Sequence, residues 1–209
     1  MMRIDSLSTS PDRTGKYRLQ LSDGSVLKLY LQTIADFGLY AGMEMTHDEL
    51  DALKASAGQM SAKMRAVRIV AASGVSKRDL EQRLIHKGES VQDARKAVEW
   101  MTELDLVDDK KTAEHIVSNC IHKGYGISRA KQVLYEKRIP KEIWPEVLTD
   151  YPDQADKILA FLKAKLPDNA TERDIRKAVD ALIRRGHNYG QIKHALMQLS
   201  LDSDDLPEG

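Results

Sequence analysis

The first third of the chain alternates in polarity, and the remainder does not. Tyr17, Leu19 and Leu21 are separated by Arg18 and Gln20, and Leu27, Leu29 and Leu31 by Lys28 and Tyr30. A period of two puts one set of side chains on each face of a pleated strand. Between the runs lies Ser22-Asp23-Gly24-Ser25, and Asp-Gly accommodates the positive φ angles of a tight hairpin turn. Two antiparallel strands are expected, with Ile4 and Leu7 in a third. A lone hairpin is marginal in water, so this unit needs a cover, and the helix that follows is the candidate. Thr46 and Glu49 have the spacing of a capping box, Leu50 and Leu53 give its apolar face, and Gly58 is expected to end it.

From Ser61 onward every segment has helical spacing. Met64, Val67 and Ala71 make one apolar face before Gly74. Ser76 with Asp79 opens a helix whose Leu80 and Leu84 stack at i, i+4 before Gly88. Ser90 with Asp93 opens a third, carrying Ala94, Val98 and Met101. Short polar residues at helix starts and glycines just past helix ends set these boundaries. The same pattern then recurs twice. Asp109 caps a helix with Ala113, Ile116, Val117 and Cys120 inward, a second near Ser128 carries Ala130 and Leu134, and a third follows Pro140 with Ile143, Val147 and Leu148. Pro145 lacks a backbone donor, so this third helix either begins near Trp144 or kinks. In the last copy Asp153 opens a helix with Ile158, Leu159 and Leu162. Thr171 with Asp174 opens the next with Ile175, Ala178 and Leu182, and Asn188 opens the third with Ile192, Ala195, Leu196 and Leu199.

The middle helices end as Leu84-Ile-His-Lys-Gly88, Leu134-Tyr-Glu-Lys-Arg138 and Leu182-Ile-Arg-Arg-Gly186, with their leucines 50 and 48 residues apart. A repeat near 50 residues marks stacked supersecondary units. The expected fold is mainly α. A β-hairpin and helix extension (1–60) precedes three-helix repeats at 61–107, 108–152 and 153–201, and an acidic tail occupies 202–209. Neighbouring units should stack into an elongated, curved array, a shape suited to extended partners.

Composition narrows this picture. Of 209 residues 42% are hydrophobic but only 5% aromatic, so the cores must be built from Leu, Ile, Val, Ala and Met, and a fully disordered chain is excluded. The single cysteine, Cys120, cannot form an internal disulfide. The start Met-Met-Arg-Ile-Asp has no apolar run of the signal-peptide kind, and no stretch approaches the roughly 18 apolar residues of a membrane span. A cytoplasmic, monomeric protein with no membrane association is expected. The formal net charge is zero, yet residues 1–60 balance at −2, 61–141 at +6 and 142–209 at −4. A basic centre in a neutral chain suits local contact with a polyanion or an acidic protein face.

The candidate catalytic and metal constellations have simpler explanations. His115, Cys120 and His122 do not share one helical face, so zinc binding is disfavoured. Asp108-Asp109 precedes a helix, where aspartates satisfy free backbone donors. Gly124-Tyr125-Gly126 lacks the preceding strand and the Lys-Ser/Thr of a phosphate loop. No enzyme activity, metal or cofactor is expected. The basic residues carry more weight: Arg65, Arg68, Lys77, Arg78, Lys87, Lys123, Arg129, Lys131, Lys137, Arg184 and Arg185 recur at turns and helix ends. They read either as a solvated face, with cations favoured near helix C-termini, or as a surface for a partner protein or DNA. Their recurrence in each repeat favours the second.

The run Ser76-Lys-Arg-Asp-Leu-Glu-Gln-Arg-Leu-Ile-His-Lys-Gly88, the linker Leu104-Asp-Leu-Val-Asp-Asp109, Ala113 through Lys123-Gly124-Tyr125-Gly126-Ile127, and Leu182-Ile-Arg-Arg-Gly186-His-Asn-Tyr189 with Ile192 and Leu196 resemble, in order, the RecX family of bacterial recombinase regulators. The resemblance covers about 140 residues across all three repeats. The N-terminal part is similar to the hairpin extension that some members carry. Two positions depart: Arg138 stands where the family usually has glycine, and His187 where an aromatic commonly follows Arg-Arg-Gly. The resemblance implies a regulator of RecA, active in homologous recombination, DNA repair and the SOS response. Such a protein would lie in the helical groove of the RecA filament and inhibit its extension, ATPase and strand exchange. A stand-alone helix-turn-helix-like DNA-binding protein is the alternative, and it would read duplex sequence in the absence of RecA.

Overall fold

The computed structural model describes residues 1–9, 15–167 and 169–199; the acidic tail lies outside them. The chain forms two compact units, Met1–Val107 and Asp108–Gly209. It is mainly helical, with a small antiparallel strand unit at its N-terminus.

In the first unit β1 (Met2–Thr9), β2 (Lys16–Leu21), β3 (Val26–Tyr30) and β4 (Glu44–Met45) make a four-stranded sheet in the order β3-β2-β1-β4. The hairpin forms as its alternation dictates, with Tyr17 opposite Leu29 and Leu19 opposite Leu27. Gly24, at φ +84°, closes the turn, and the Asp23 carboxylate accepts from the Ser25 N–H at 2.8 Å. Ile4, Leu19, Leu21 and Leu29 form one face of the core, completed by Ile34, Leu39, Met45, Leu50 and Leu53. One sequence expectation fails here. Leu31 does not extend the strand; it is exposed and begins the short helix α1 (Leu31–Asp36). The ladder ends where Lys16 pairs with Tyr30, so Leu31 has no cross-strand partner to hold it extended.

The capping box of Thr46 and Glu49 starts α2 (His47–Ala72), with the Thr46 hydroxyl accepting from the Glu49 N–H at 3.2 Å and the Glu49 carboxylate accepting from the Thr46 N–H at 2.8 Å. Gly58 does not end it: the helix runs 26 residues without a break. At Gly58 the helix passes the start of another, and a β-carbon there would sit 2.8 Å from an Asp93 carboxylate oxygen. The glycine serves a close approach rather than a stop. The inward face beyond it also differs from the sequence reading. Ala62, Ala66 and Ile69 are buried, whereas Met64, Val67 and Ala71 face outward. Small residues let α2 approach α4 (Val91–Glu103), and with α3 (Lys77–His86) these close a core of Val75, Leu80, Leu84, Ala94, Ala97, Met101 and Val107.

The second unit holds two three-helix groups, each with its own core. α5 (Asp109–His122), α6 (Ile127–Glu136) and, after a 3₁₀ turn at Lys141–Ile143, α7 (Trp144–Leu148) enclose Ala113, Val117, Cys120, Ala130, Leu134, Ile139 and Leu148. The cap of α5 is Asp108, not Asp109: its carboxylate accepts from the N–H groups of Lys110 and Lys111 at 2.8 and 3.1 Å. Pro145 falls in the first turn of α7, where a missing N–H leaves no intrahelical bond unmade. α8 (Ala155–Lys165), α9 (Glu172–Arg184) and α10 (Tyr189–Gln198) enclose Ile158, Leu162, Ile175, Ala178, Val179, Leu182, Ile192, Ala195 and Leu196. Thr171 with Asp174 and Asn188 with Gln191 form capping boxes at the starts of α9 and α10.

Candidate partner-binding surface

The middle helix of each triplet, α3, α6 or α9, ends in the same way. Gly88, Arg138 and Gly186 all have φ between +56° and +92°. Each donates its N–H three residues back, to Ile85, Tyr135 and Ile183, and the following residue donates to Leu84, Leu134 and Leu182. This pair of bonds closes the helix end only if one residue is left-handed. The residue before it is a cation every time: Lys87, Lys137 and Arg185 are the C-caps of α3, α6 and α9. Cations are favoured at that end of a helix dipole, as they also are at Lys123, the C-cap of α5, and Arg184 in the last turn of α9. The dipole does not account for Lys77 and Arg78 in the first turn of α3, or Arg129 in the first turn of α6, because there it opposes positive charge.

Among the eleven basic residues singled out in the sequence, Arg65, Arg68 and Lys87 come together. They line a cleft of about 460 Å³ with Arg83 from α3 and Lys16 from β2, over Ile69, Ala72 and Ser73. Its cations are held from beneath. Glu89 accepts from the Arg65 Nε at 2.6 Å, and Asp79 pairs with Arg83 at 2.9 Å; both carboxylate side chains are only 7% exposed. Arg68 donates to the Tyr30 hydroxyl at 3.0 Å and to the Met64 carbonyl at 3.2 Å. The Lys16 ammonium lies 4.9 Å from the centroid of the Tyr30 ring. Lys16 escaped the sequence reading because it lies on the hairpin; only the fold brings that strand beside α2.

Lys77 and Arg78 do not line this cleft. In the second unit Arg129 donates to Glu136 at 3.2 Å, Lys131 is exposed on α6, and Arg185 stacks over the Phe161 ring at 4.7 Å. The turns bearing Arg129 and Arg185 meet: the Gly126 N–H donates to the Arg185 carbonyl at 2.9 Å, and the buried His187 ring bonds the Gly124 carbonyl at 3.0 Å. Since a carbonyl only accepts, His187 Nε2 carries the proton, and Nδ1 is left without a partner. Burial pushes the His187 pKa below its ordinary value of 6.5.

The chemistry-bearing residues set aside in the sequence lie apart. Cys120 is in the α5–α7 core, where burial pushes its thiol up, while His115 and His122 are exposed. Among the described residues no three His, Cys, Asp or Glu side chains gather as a metal site would require. None of their helices is long and apolar enough to cross a membrane.

No family model matches the chain. It is similar to the regulatory protein RecX of Vibrio parahaemolyticus, at 27% identity over 146 residues covering 68% of this chain and 94% of the relative. It is similar to the regulatory protein RecX of Streptococcus sanguinis, at 29% identity over 205 residues covering 90% and 74%. The RecX of Clostridioides difficile aligns over 98% of both chains at 22% identity. The fold matches a crystal structure of regulatory protein RecX with a TM-score of 0.61 and 18% identity, covering 93% of this chain and all of that one. It also matches RecX from Lactobacillus salivarius with a TM-score of 0.57 and 19% identity, covering 68% and 97%. Relatives across nearly the whole length, repeat signatures in the expected order and the same helical architecture agree: this chain is similar to the RecX regulatory proteins and shares their fold.

Proposed function

We propose that this protein regulates RecA by binding the RecA–DNA filament along its helical groove, inhibiting filament extension, ATP hydrolysis and strand exchange. It acts by binding, without bond-making chemistry of its own. The observation that carries this reading is the repeated basic turn: Lys87, Lys137 and Arg185 at equivalent helix ends. Each triplet offers the same charged end, and a partner built of repeating protomers presents a matching face again and again.

The test is ATP hydrolysis by RecA on single-stranded DNA with added protein. Inhibition at sub-stoichiometric ratios indicates capping of growing ends; inhibition only near one protein per few protomers indicates occupancy of the groove. Replacing Arg65, Arg68, Lys87 and Lys123 together by alanine weakens inhibition if these cations make the contact. Unchanged inhibition refutes their assignment, and absence of inhibition by the unaltered protein refutes the reading itself.

A further inference from the structure

Resting on the filament-regulator reading, we propose that the cleft between the hairpin and α2–α3 holds the phosphodiester backbone of a single DNA strand. Every titratable side chain lining it is cationic: Lys16, Arg65, Arg68, Arg83 and Lys87. Glu89 and Asp79 answer Arg65 and Arg83, whereas Arg68 and Lys87 have no carboxylate partner among the described residues. The carbonyl ends of α2 and α3 offset some of this surplus. Two helix C-termini amount to about one elementary charge, which is less than two uncompensated cations.

Guanidinium groups pair with phosphate and carboxylate alike, so it is the run of cations along a cleft of nucleotide scale that points to a phosphodiester strand. Three of the five cations are guanidinium groups, each anchored along one edge: Arg65 by Glu89, Arg83 by Asp79, and Arg68 by the Tyr30 hydroxyl and the Met64 carbonyl. Side chains held in this way keep planar donor forks ready for tetrahedral oxyanions at little further entropy loss. At about 460 Å³ the cleft has the size of a site for a nucleotide-scale group rather than a lone ion, and its floor of Ile69 and Ala72 offers apolar surface to sugar or base. The cations line one cleft where the hairpin meets α2 and α3, and a flexible single strand can bend to bring successive phosphates to them.

The experiment is fluorescence anisotropy of labelled oligodeoxythymidylate with the full chain, RecA absent, from 50 to 200 mM KCl. The unaltered protein binds, more weakly as salt rises. Arg68→Glu with Lys87→Glu lowers affinity at least tenfold at 50 mM and flattens the log–log salt dependence by about 1.4, the share of two phosphate contacts on a single strand. Glu89→Gln, which releases Arg65 from its carboxylate, raises affinity severalfold, a gain that misfolding cannot mimic. Lys96→Glu with Lys177→Glu makes the same charge change outside the cleft and leaves affinity within twofold. Affinity unchanged by the Arg68/Lys87 pair, or equally lowered by the Lys96/Lys177 pair, overturns the site. Displacement by inorganic phosphate or thymidine monophosphate as readily as by unlabelled strand, per phosphate, overturns the strand as its ligand. Because RecA is absent, this result stands or falls separately from inhibition of RecA.

Discussion

Gly126 and Gly186 lie backbone against backbone: a β-carbon on Gly126 would collide with the Gly186 carbonyl, and one on Gly186 with the backbone of Arg129. The α5–α7 and α8–α10 cores do not merge, so this contact, the Gly126-to-Arg185 bond and the His187-to-Gly124 bond act as a clasp between two triplets. Gly126→Ala forces backbone apart rather than a side-chain tip, and it should destabilise the second unit by about 1–3 kcal/mol, the usual range for overpacking. Urea unfolding followed by Trp144 fluorescence in a Trp100→Phe background measures this. A midpoint unchanged from the parent would show that the clasp does not hold the triplets.

His187 makes the same clasp sensitive to pH. Its folded pKa is depressed by burial below 6.5, with nearby Arg185 also lowering it, and the Gly124 bond and Asp153 opposing the shift. The unfolded chain therefore binds the proton more readily. The stability His187 contributes is complete above about pH 6.5 and is lost as pH falls from there through the depressed folded value. His187→Gln keeps a donor for the Gly124 carbonyl but cannot titrate, so urea midpoints between pH 7.5 and 5 should fall less for the variant than for the parent. Parallel curves would dissociate His187 from the effect.

Arg138 occupies the left-handed position that Gly88 and Gly186 fill in the other triplets, at φ +56°. A side chain there carries strain of about 1–2 kcal/mol, partly offset on going to glycine by the greater freedom of the unfolded chain. Arg138→Gly is expected to stabilise the second unit by about 0.5–1 kcal/mol, read as a higher urea midpoint at constant slope. A lower midpoint would mean that contacts of the arginine side chain outweigh the strain.

Gly58 offers the opposite test. In a helix interior Gly→Ala normally adds about 1 kcal/mol, but here the new β-carbon meets Asp93, whose carboxylate is already engaged by the Ser90 hydroxyl at 2.7 Å. Gly58→Ala alone is expected to bring no gain in melting temperature, while Gly58→Ala in an Asp93→Ala background recovers the helix-propensity gain relative to Asp93→Ala. Additive behaviour would dismiss the contact.

These positions also show where sequence sufficed. The hairpin turn at Asp23-Gly24, the capping boxes at Thr46 and Thr171, the Asn188 cap and the equivalent ends at Gly88, Arg138 and Gly186 are local in cause and were legible. Gly58 misled because a glycine that stops a helix and one that admits a neighbour look alike until the neighbour is placed. Met64 and Val67 misled because they are bulkier than Ala62 and Ala66, although close helix packing rewards the smaller set. The eleven cations were visible one by one. Their grouping was not, since Lys16 and Tyr30 reach Arg65 and Arg68 only across the fold.

Helix α2 begins among Leu50 and Leu53 beneath the sheet and continues to Ala62, Ala66 and Ile69 in the helical triplet. At about 1.5 Å per residue this is a rod of about 39 Å common to two cores. A shared axle of that kind denies the N-terminal extension independent motion: whatever tugs on the hairpin turns Arg65 and Arg68 with it, and a protease cutting near Gly58 would disable both halves instead of liberating one.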